Sequence, residues 1–133
     1  MRIQILVAAM NQKDHNLLKK LNIRSDVIVG NQCGYDSVEH FEYNGKAATY
    51  LNFNEKGVGL NRNNTLMRAD GDICLFSDDD MVYMNDYVEK VENAFLHYPN
   101  ADVIIFNLFE KKPTRYVKKE PMKVGYFNFL RYG

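Results

Sequence analysis

Ala69-Asp70-Gly71-Asp72-Ile73-Cys74-Leu75-Phe76-Ser77-Asp78-Asp79-Asp80 is a short apolar run that ends in three consecutive acids. Asp72 to Ser77 is bounded by Gly and Asp and is too short for a helix, so it reads as a buried strand. A strand buried on both faces belongs to a parallel sheet covered by helices. In such sheets ligands bind outside the carboxyl ends of the strands. The acids stand at that end.

The pattern on either side repeats the theme. Upstream, Ile3 to Ala8 is a β-branched and aliphatic run, followed by a turn at Asn11-Gln12-Lys13-Asp14. Leu17, Leu18 and Leu21 fall at helical spacing within Asp14 to Leu21. Asp26 to Gly30 reads as a second buried strand, and Asn31 to Ser37 as a loop rich in Gly, Asn and Asp. Phe41 to Tyr43 and Ala47 to Asn52 flank Asn44-Gly45, a hairpin signal. A helix is expected from about Leu60 to Ala69.

Downstream of the acids, Val88, Val91 and Phe95 mark a helix running to about Tyr98. Asp86 with Glu89 resembles a capping box at its start. Asp102 to Phe106 reads as one more buried strand. The alternation of short strands and helices predicts an α/β fold, a three-layer α/β/α sandwich with a mainly parallel sheet. Its aligned strand ends would be Ala8-Ala9-Met10-Asn11, Gly30-Asn31-Gln32 and Ser77-Asp78-Asp79-Asp80.

Composition sets the frame. The 133 residues suit one compact domain, with 46% apolar and 26% charged residues, as in ordinary globular proteins. No apolar run approaches the ~20 residues needed to cross a bilayer. The N-terminal apolar stretch is shorter than a signal peptide's core. The expected compartment is therefore the cytoplasm, its membrane face included. Cys33 and Cys74 form no CxxC pair and have no His partner nearby, so they read as free thiols, Cys74 as a small core residue.

The zero net charge hides an asymmetry. Residues 1–110 carry 16 acidic and 10 basic side chains, whereas residues 111–133 carry one acidic and seven basic. The run Lys111-Lys112-Pro113-Thr114-Arg115-Tyr116-Val117-Lys118-Lys119 has the chemistry for phosphate, nucleic acid or an anionic membrane surface. Such runs are most often solvated loop. The organisation expected is a core at 1–110 and a basic, aromatic segment at 111–133. No nucleic-acid partner is expected, and the basic segment would allow peripheral membrane contact.

Asp78, Asp79 and Asp80 repel one another, and the repulsion grows where solvent is reduced. A lone acidic triplet is usually a solvated turn or a helix cap. Its position at a strand end favours a divalent partner instead. Hard oxygen ligands suit Mg²⁺, Mn²⁺ or Ca²⁺, and the absence of neighbouring His or Cys argues against zinc. Mg²⁺ commonly takes one or two carboxylates and completes its shell with substrate phosphates. Asn11 reads equally well as a helix cap, and Arg62, by position alone, as a surface residue. Gly57 and Gly59 need do no more than permit a turn. His15, His40 and His97 are scattered and receive no catalytic role. Tyr83 and Tyr87 follow the acids and could stack on a sugar or base, though core packing is the commoner use.

Taken together, Gly57-Val58-Gly59-Leu60-Asn61-Arg62-Asn63 and the block from Ala69 to Asp80 resemble the inverting family-2 glycosyltransferases. The similar pattern there is a glycine-led G-x-x-x-R-N helix before an A-x-G-D-x-x-x-F-x-D-D-D strand. The resemblance covers roughly residues 2–106 and implies the Rossmann-like, nucleotide-sugar-binding half of a GT-A fold. It implies that Asp78 and Asp80, as the DXD motif, ligate Mn²⁺ or Mg²⁺, with Asp78 and Asp79 also facing the nucleotide sugar. Arg62 would reach the nucleotide or its diphosphate, with Asn63 bracing the loop. Ala8, Met10 and Asn11 would line the base pocket. Gly30-Asn31-Gln32 departs from the acid-bearing second strand end of the family, so Asn31 would take over contacts to base or ribose.

The reaction implied is metal-assisted transfer of a sugar from a nucleoside diphosphate to an acceptor hydroxyl, the acceptor being a saccharide or lipid-linked saccharide. The cation would act as a Lewis acid on the leaving diphosphate. An inverting transfer also requires a general base. Asp86, Glu89 and Glu92 read as helix surface, and Glu110 and Glu120 lack a supporting motif, so the catalytic base is unassigned. Family members with this opening are longer. The expectation is a fragment whose acceptor side is truncated, or a short form. The alternative function is a non-catalytic nucleotide-sugar-binding or interaction module. A nucleotidyltransferase is disfavoured because Ala8 to Lys13 lacks a glycine-rich, basic signature.

Overall fold

A computed structural model describes residues 1–109 and 119–125. Most of the basic segment, the expected boundary at 110/111 and the apolar run Tyr126 to Leu130 lie outside the described residues. The elements in chain order are β1 (Ile3–Met10), α1 (Asn16–Lys20), β2 (Asp26–Gln32), β3 (Ser37–Tyr43), β4 (Lys46–Phe53), α2 (Val58–Leu66), β5 (Ile73–Asp78) and α3 (Tyr87–His97).

The strands form one sheet in the order β3-β4-β2-β1-β5. β1 pairs in parallel with both β2 and β5, and β2 pairs in parallel with β4. Among the described residues only β3 is antiparallel, joined to β4 by the expected turn. Asn44 and Gly45 both have positive φ there, 51° and 73°, as a two-residue hairpin turn demands. The fold is the α/β architecture expected, a largely parallel sheet with helices on both faces.

Alternation along the strands builds two cores. Ile5, Val7 and Val29 face α1 and the start of α3, where Leu17, Leu18, Leu21 and Tyr87 are buried. Ile3 and Ile73 extend that face beneath Val91. Leu6, Ile28, Leu51 and Phe53 face the other way, joined by Ala69 and a half-buried Cys74. Cys74 thus lies at the margin of the core rather than within it.

α1 links β1 to β2, and α2 links β4 to β5 in the opposite direction across the sheet. They lie on opposite faces, so the two crossovers share one hand, as parallel connections require. α3 returns to the α1 face. A strand directly beyond β5 and parallel to it would then need a crossover of the other hand. The strand expected at Asp102 to Phe106 is not formed, and Val103, Ile105 and Phe109 are exposed. Two smaller expectations also change. Asn31 and Gln32 belong to β2 rather than to a loop. Asp86 makes no side-chain cap on α3 and instead pairs with Lys90 at 3.0 Å. Among the described residues no helix is long and apolar enough to cross a membrane.

Candidate functional site

The chain runs from β1 outward through β2 to β4, then crosses back to β5 on the other side of β1. The carboxyl ends of β1 and β5 therefore flank the point where strand order reverses, the usual ligand crevice of an open α/β sheet. Ala8 is the register partner of both Gly30 and Asp78, which brings three of the expected strand ends side by side.

Beyond β1, Met10 and Asn11 are exposed, and Asn11 takes a left-handed φ of 50°. Its N–H donates to the Gln32 carbonyl at 2.8 Å. Asparagine tolerates this conformation better than most residues.

Asn31 departs from its expected role. It is fully buried, and its carboxamide clamps two segments together. Oδ1 accepts from the Gln12 N–H at 2.9 Å, while Nδ2 donates to the Gln12 carbonyl at 3.0 Å and to Asn52 Oδ1 at 2.7 Å. With both ends of its amide engaged inside the protein, Asn31 shapes the loop after β1 and offers no face to a nucleotide.

α2 arrives from the opposite side of the sheet and is inverted relative to an ordinary amphipathic helix. Val58, Leu60 and Leu66 are exposed, while Asn61 and Thr65 are buried. Its first turn is tethered to β2: Gln32 Nε2 donates to the Gly57 carbonyl at 3.0 Å, which also accepts from the Asn61 N–H at 2.9 Å. Gly57 has φ 140°, a conformation that side chains rarely adopt. Asn61 Nδ2 donates to the carbonyls of Gly30 and Ala9 at 2.8 and 3.2 Å. Asn61 thus braces α2 on β1 and β2, while Asn63 is exposed.

Arg62 and Asp78 meet where α2 passes the end of β5. Arg62 Nη2 lies 2.7 Å from Asp78 Oδ1, with side chains 43% and 53% exposed. Arg62 Nε is buried without a hydrogen-bond partner. Asp79 is half-buried, and its carbonyl accepts from Lys20 Nζ at 3.2 Å. Asp80 is exposed. The segment beyond is stitched to the end of α1, since Tyr83 N–H donates to the Leu21 carbonyl and Asn22 Nδ2 to the Tyr83 carbonyl, both at 2.9 Å.

No trio of His, Cys, Asp or Glu among the described residues is arranged as a metal cage. The donors at the strand end are carboxylate oxygens alone. That set fits Mg²⁺ or Mn²⁺ in the mode that takes few protein ligands and leaves coordination for phosphate oxygens.

Tyr83 and Tyr87 pack on each other, ring centroids 4.6 Å apart. The Tyr87 hydroxyl donates to Ser25 Oγ at 2.8 Å and accepts from the Arg24 N–H at 3.0 Å. Burial pushes the Tyr83 phenol up to about 12. Both rings belong to the core. His15 pairs with Glu39, and His40 with Thr49, on the flanking hairpin. A groove of about 680 Å³ lies between that hairpin and α2, lined in part by Leu51, Phe53, Asn64 and Arg68. Its lining does not include the acids.

Comparison with known protein families gives a match to glycosyl transferase family 2 over residues 36–132. Comparison with curated proteins and with solved structures gives no match. The matched span takes in the hairpin, α2, β5 with its three acids, and α3. It covers 97 of the 133 residues, and the chain belongs to glycosyl transferase family 2.

Proposed function

We propose that the chain carries the nucleotide-sugar-binding half of a metal-assisted, inverting glycosyltransferase, with the donor diphosphate held between Arg62 and Asp78–Asp80. The observation that carries the reading is the meeting of Arg62 and Asp78 at the reversal point of the sheet. An arginine fork paired with a carboxylate in the ligand-free protein is poised to exchange that partner for a phosphate of similar geometry. Asp78 then becomes available as an oxygen ligand, with Asp80 beside it on the turn.

Mn²⁺ or Mg²⁺, held by Asp78 and Asp80, would supply Lewis-acid neutralisation of the leaving diphosphate. Arg62 would bind and orient the diphosphate. Asp79, held through its carbonyl by Lys20, would face the sugar-nucleotide. Ala8, Met10 and Asn11 would border the base, with the Asn31 clamp keeping their loop in place. The acceptor would be a saccharide or lipid-linked saccharide met at the cytoplasmic membrane face.

Calorimetric titration with UDP and GDP, with and without Mn²⁺, tests the proposal. Binding of one nucleotide that requires Mn²⁺ and is lost in Asp80→Ala is the expected outcome. Metal-dependent binding that survives Asp80→Ala would remove Asp80 from the metal site. Nucleotide binding indifferent to Mn²⁺ would remove the metal from the reading altogether.

A further inference from the structure

We propose that Asn61 is the positioning residue that aims Arg62 at the end of β5, and that position 30 is glycine in order to seat it. The proposal deepens the donor-site reading and rests on it for its functional consequence.

Asn61 is buried beneath α2, against β1 and β2. Its amide donates to the Gly30 and Ala9 carbonyls, so one side chain bridges the ends of both strands. A Cβ at position 30 would fall 1.9 Å from Asn61 Oδ1. That distance excludes any other residue at position 30 while Asn61 keeps its place. Oδ1 itself is buried without a hydrogen-bond partner. The side chain therefore gives up one acceptor to gain two anchored donors, an arrangement that fixes orientation more than it adds stability.

Adjacent helical residues point about 100° apart around the axis. Holding Asn61 inward over Gly30 therefore sets the direction in which Arg62 leaves α2. Gln32, donating to the Gly57 carbonyl, holds the same turn against sliding. Arg62 reaches Asp78 while its Nε is shut away from both solvent and partners. Such a placement needs a backbone held from behind, and Asn61 supplies that hold.

The test uses the whole chain. Exchange of the Arg62 Nε proton, followed by NMR without ligand, reports the placement directly. Affinity for UDP and GDP with Mn²⁺ reports its consequence. In the wild type the proton should exchange slowly, since Nε is buried. Asn61→Ala should speed its exchange and weaken nucleotide binding about tenfold, the scale of losing an anchored pair of hydrogen bonds.

The double variant Asn61→Ala/Gly30→Ala separates aiming from packing. Its new methyl occupies the space that Oδ1 vacates, with Thr65 Cγ2, 2.9 Å from that Cβ, yielding slightly. This variant should recover thermal stability toward the wild type while exchange stays fast and binding stays weak. It carries the test if the single variant unfolds. Recovery of all three properties together would overturn the proposal, because Asn61 would then be packing alone. Unchanged exchange in both variants would overturn it as well. A wild type that binds neither nucleotide would defeat the donor-site reading, while proton exchange would still decide the positioning role.

Discussion

Arg62 on α2 and Asp78 at the end of β5 form an ion pair of 2.7 Å between a helix packed on the sheet and the strand paired with β1. The pair is about half exposed. Exposed pairs of this kind contribute on the order of 0–1 kcal/mol to stability. Arg62→Ala should therefore leave the urea midpoint nearly unchanged. The same substitution should weaken binding of a nucleoside diphosphate by tenfold or more, since a charge-assisted contact to phosphate is lost. Parallel denaturation and calorimetry check the split. A large stability loss with unaltered binding would make Arg62 a structural residue.

Asn31 leads to the opposite expectation. Its amide is buried and joins the Gln12 backbone to Asn52. Asn31→Ala leaves those partners unpaired and should destabilise the fold by about 1–3 kcal/mol. It should not change the preference between UDP and GDP, because the side chain does not face the crevice. Urea denaturation measures the first effect and competition binding the second. A switch in base preference would return Asn31 to the nucleotide pocket.

Why was Asn31 legible as polar and strand-terminal, yet not as a clamp? The apolar runs Ile3–Val7 and Val27–Val29 and the turn Asn44-Gly45 declare themselves through local period and turn chemistry. Asp78–Asp80 declare themselves by following such a run. What Asn31 and Asn61 do depends on which segment lies opposite, and period carries no record of that. For α2 the pattern misleads, because the helix exposes Val58, Leu60 and Leu66 and buries Asn61 and Thr65. The one local hint was Gly30, a glycine inside a strand, which commonly marks a close approach by another group. Asp102 to Phe106 fails for a related reason. Its apolar run is strand-like, but a strand exists only where an edge of suitable direction and hand receives it.

Alkaline pH should weaken the fold through its buried tyrosines. Burial raises the Tyr83 phenol from 10.0 to about 12, and Tyr50 and Tyr87 shift in the same direction. A raised value means that the folded state holds its proton more tightly than the unfolded chain does. The associated stability is complete below pH 10 and is lost as pH climbs toward 12. Urea midpoints measured across that range should fall. Tyr83→Phe should flatten part of the fall, because it removes a phenol whose proton the folded state holds more tightly. An unchanged alkaline slope in that variant would place the titration elsewhere.

The two outer acids of the triplet should differ when removed singly. Asp80 is exposed at the turn, so Asp80→Ala should abolish Mn²⁺-supported nucleotide binding and leave stability within about 0.5 kcal/mol. Asp78 has a second partner in Arg62. Asp78→Ala removes an oxygen ligand and also releases the arginine fork, and these act in opposite directions on an anionic ligand. The freed guanidinium no longer exchanges one anion for another, so metal-free nucleotide should bind more tightly to Asp78→Ala than to the wild type. Metal-supported binding should be lost in the same variant. Adding Arg62→Ala to Asp78→Ala should cancel the metal-free gain, giving a coupling that neither single variant shows. Four proteins titrated with nucleotide, with and without Mn²⁺, complete this cycle. Additive effects of the two substitutions would mean that the Arg62–Asp78 pair plays no part in admitting the diphosphate.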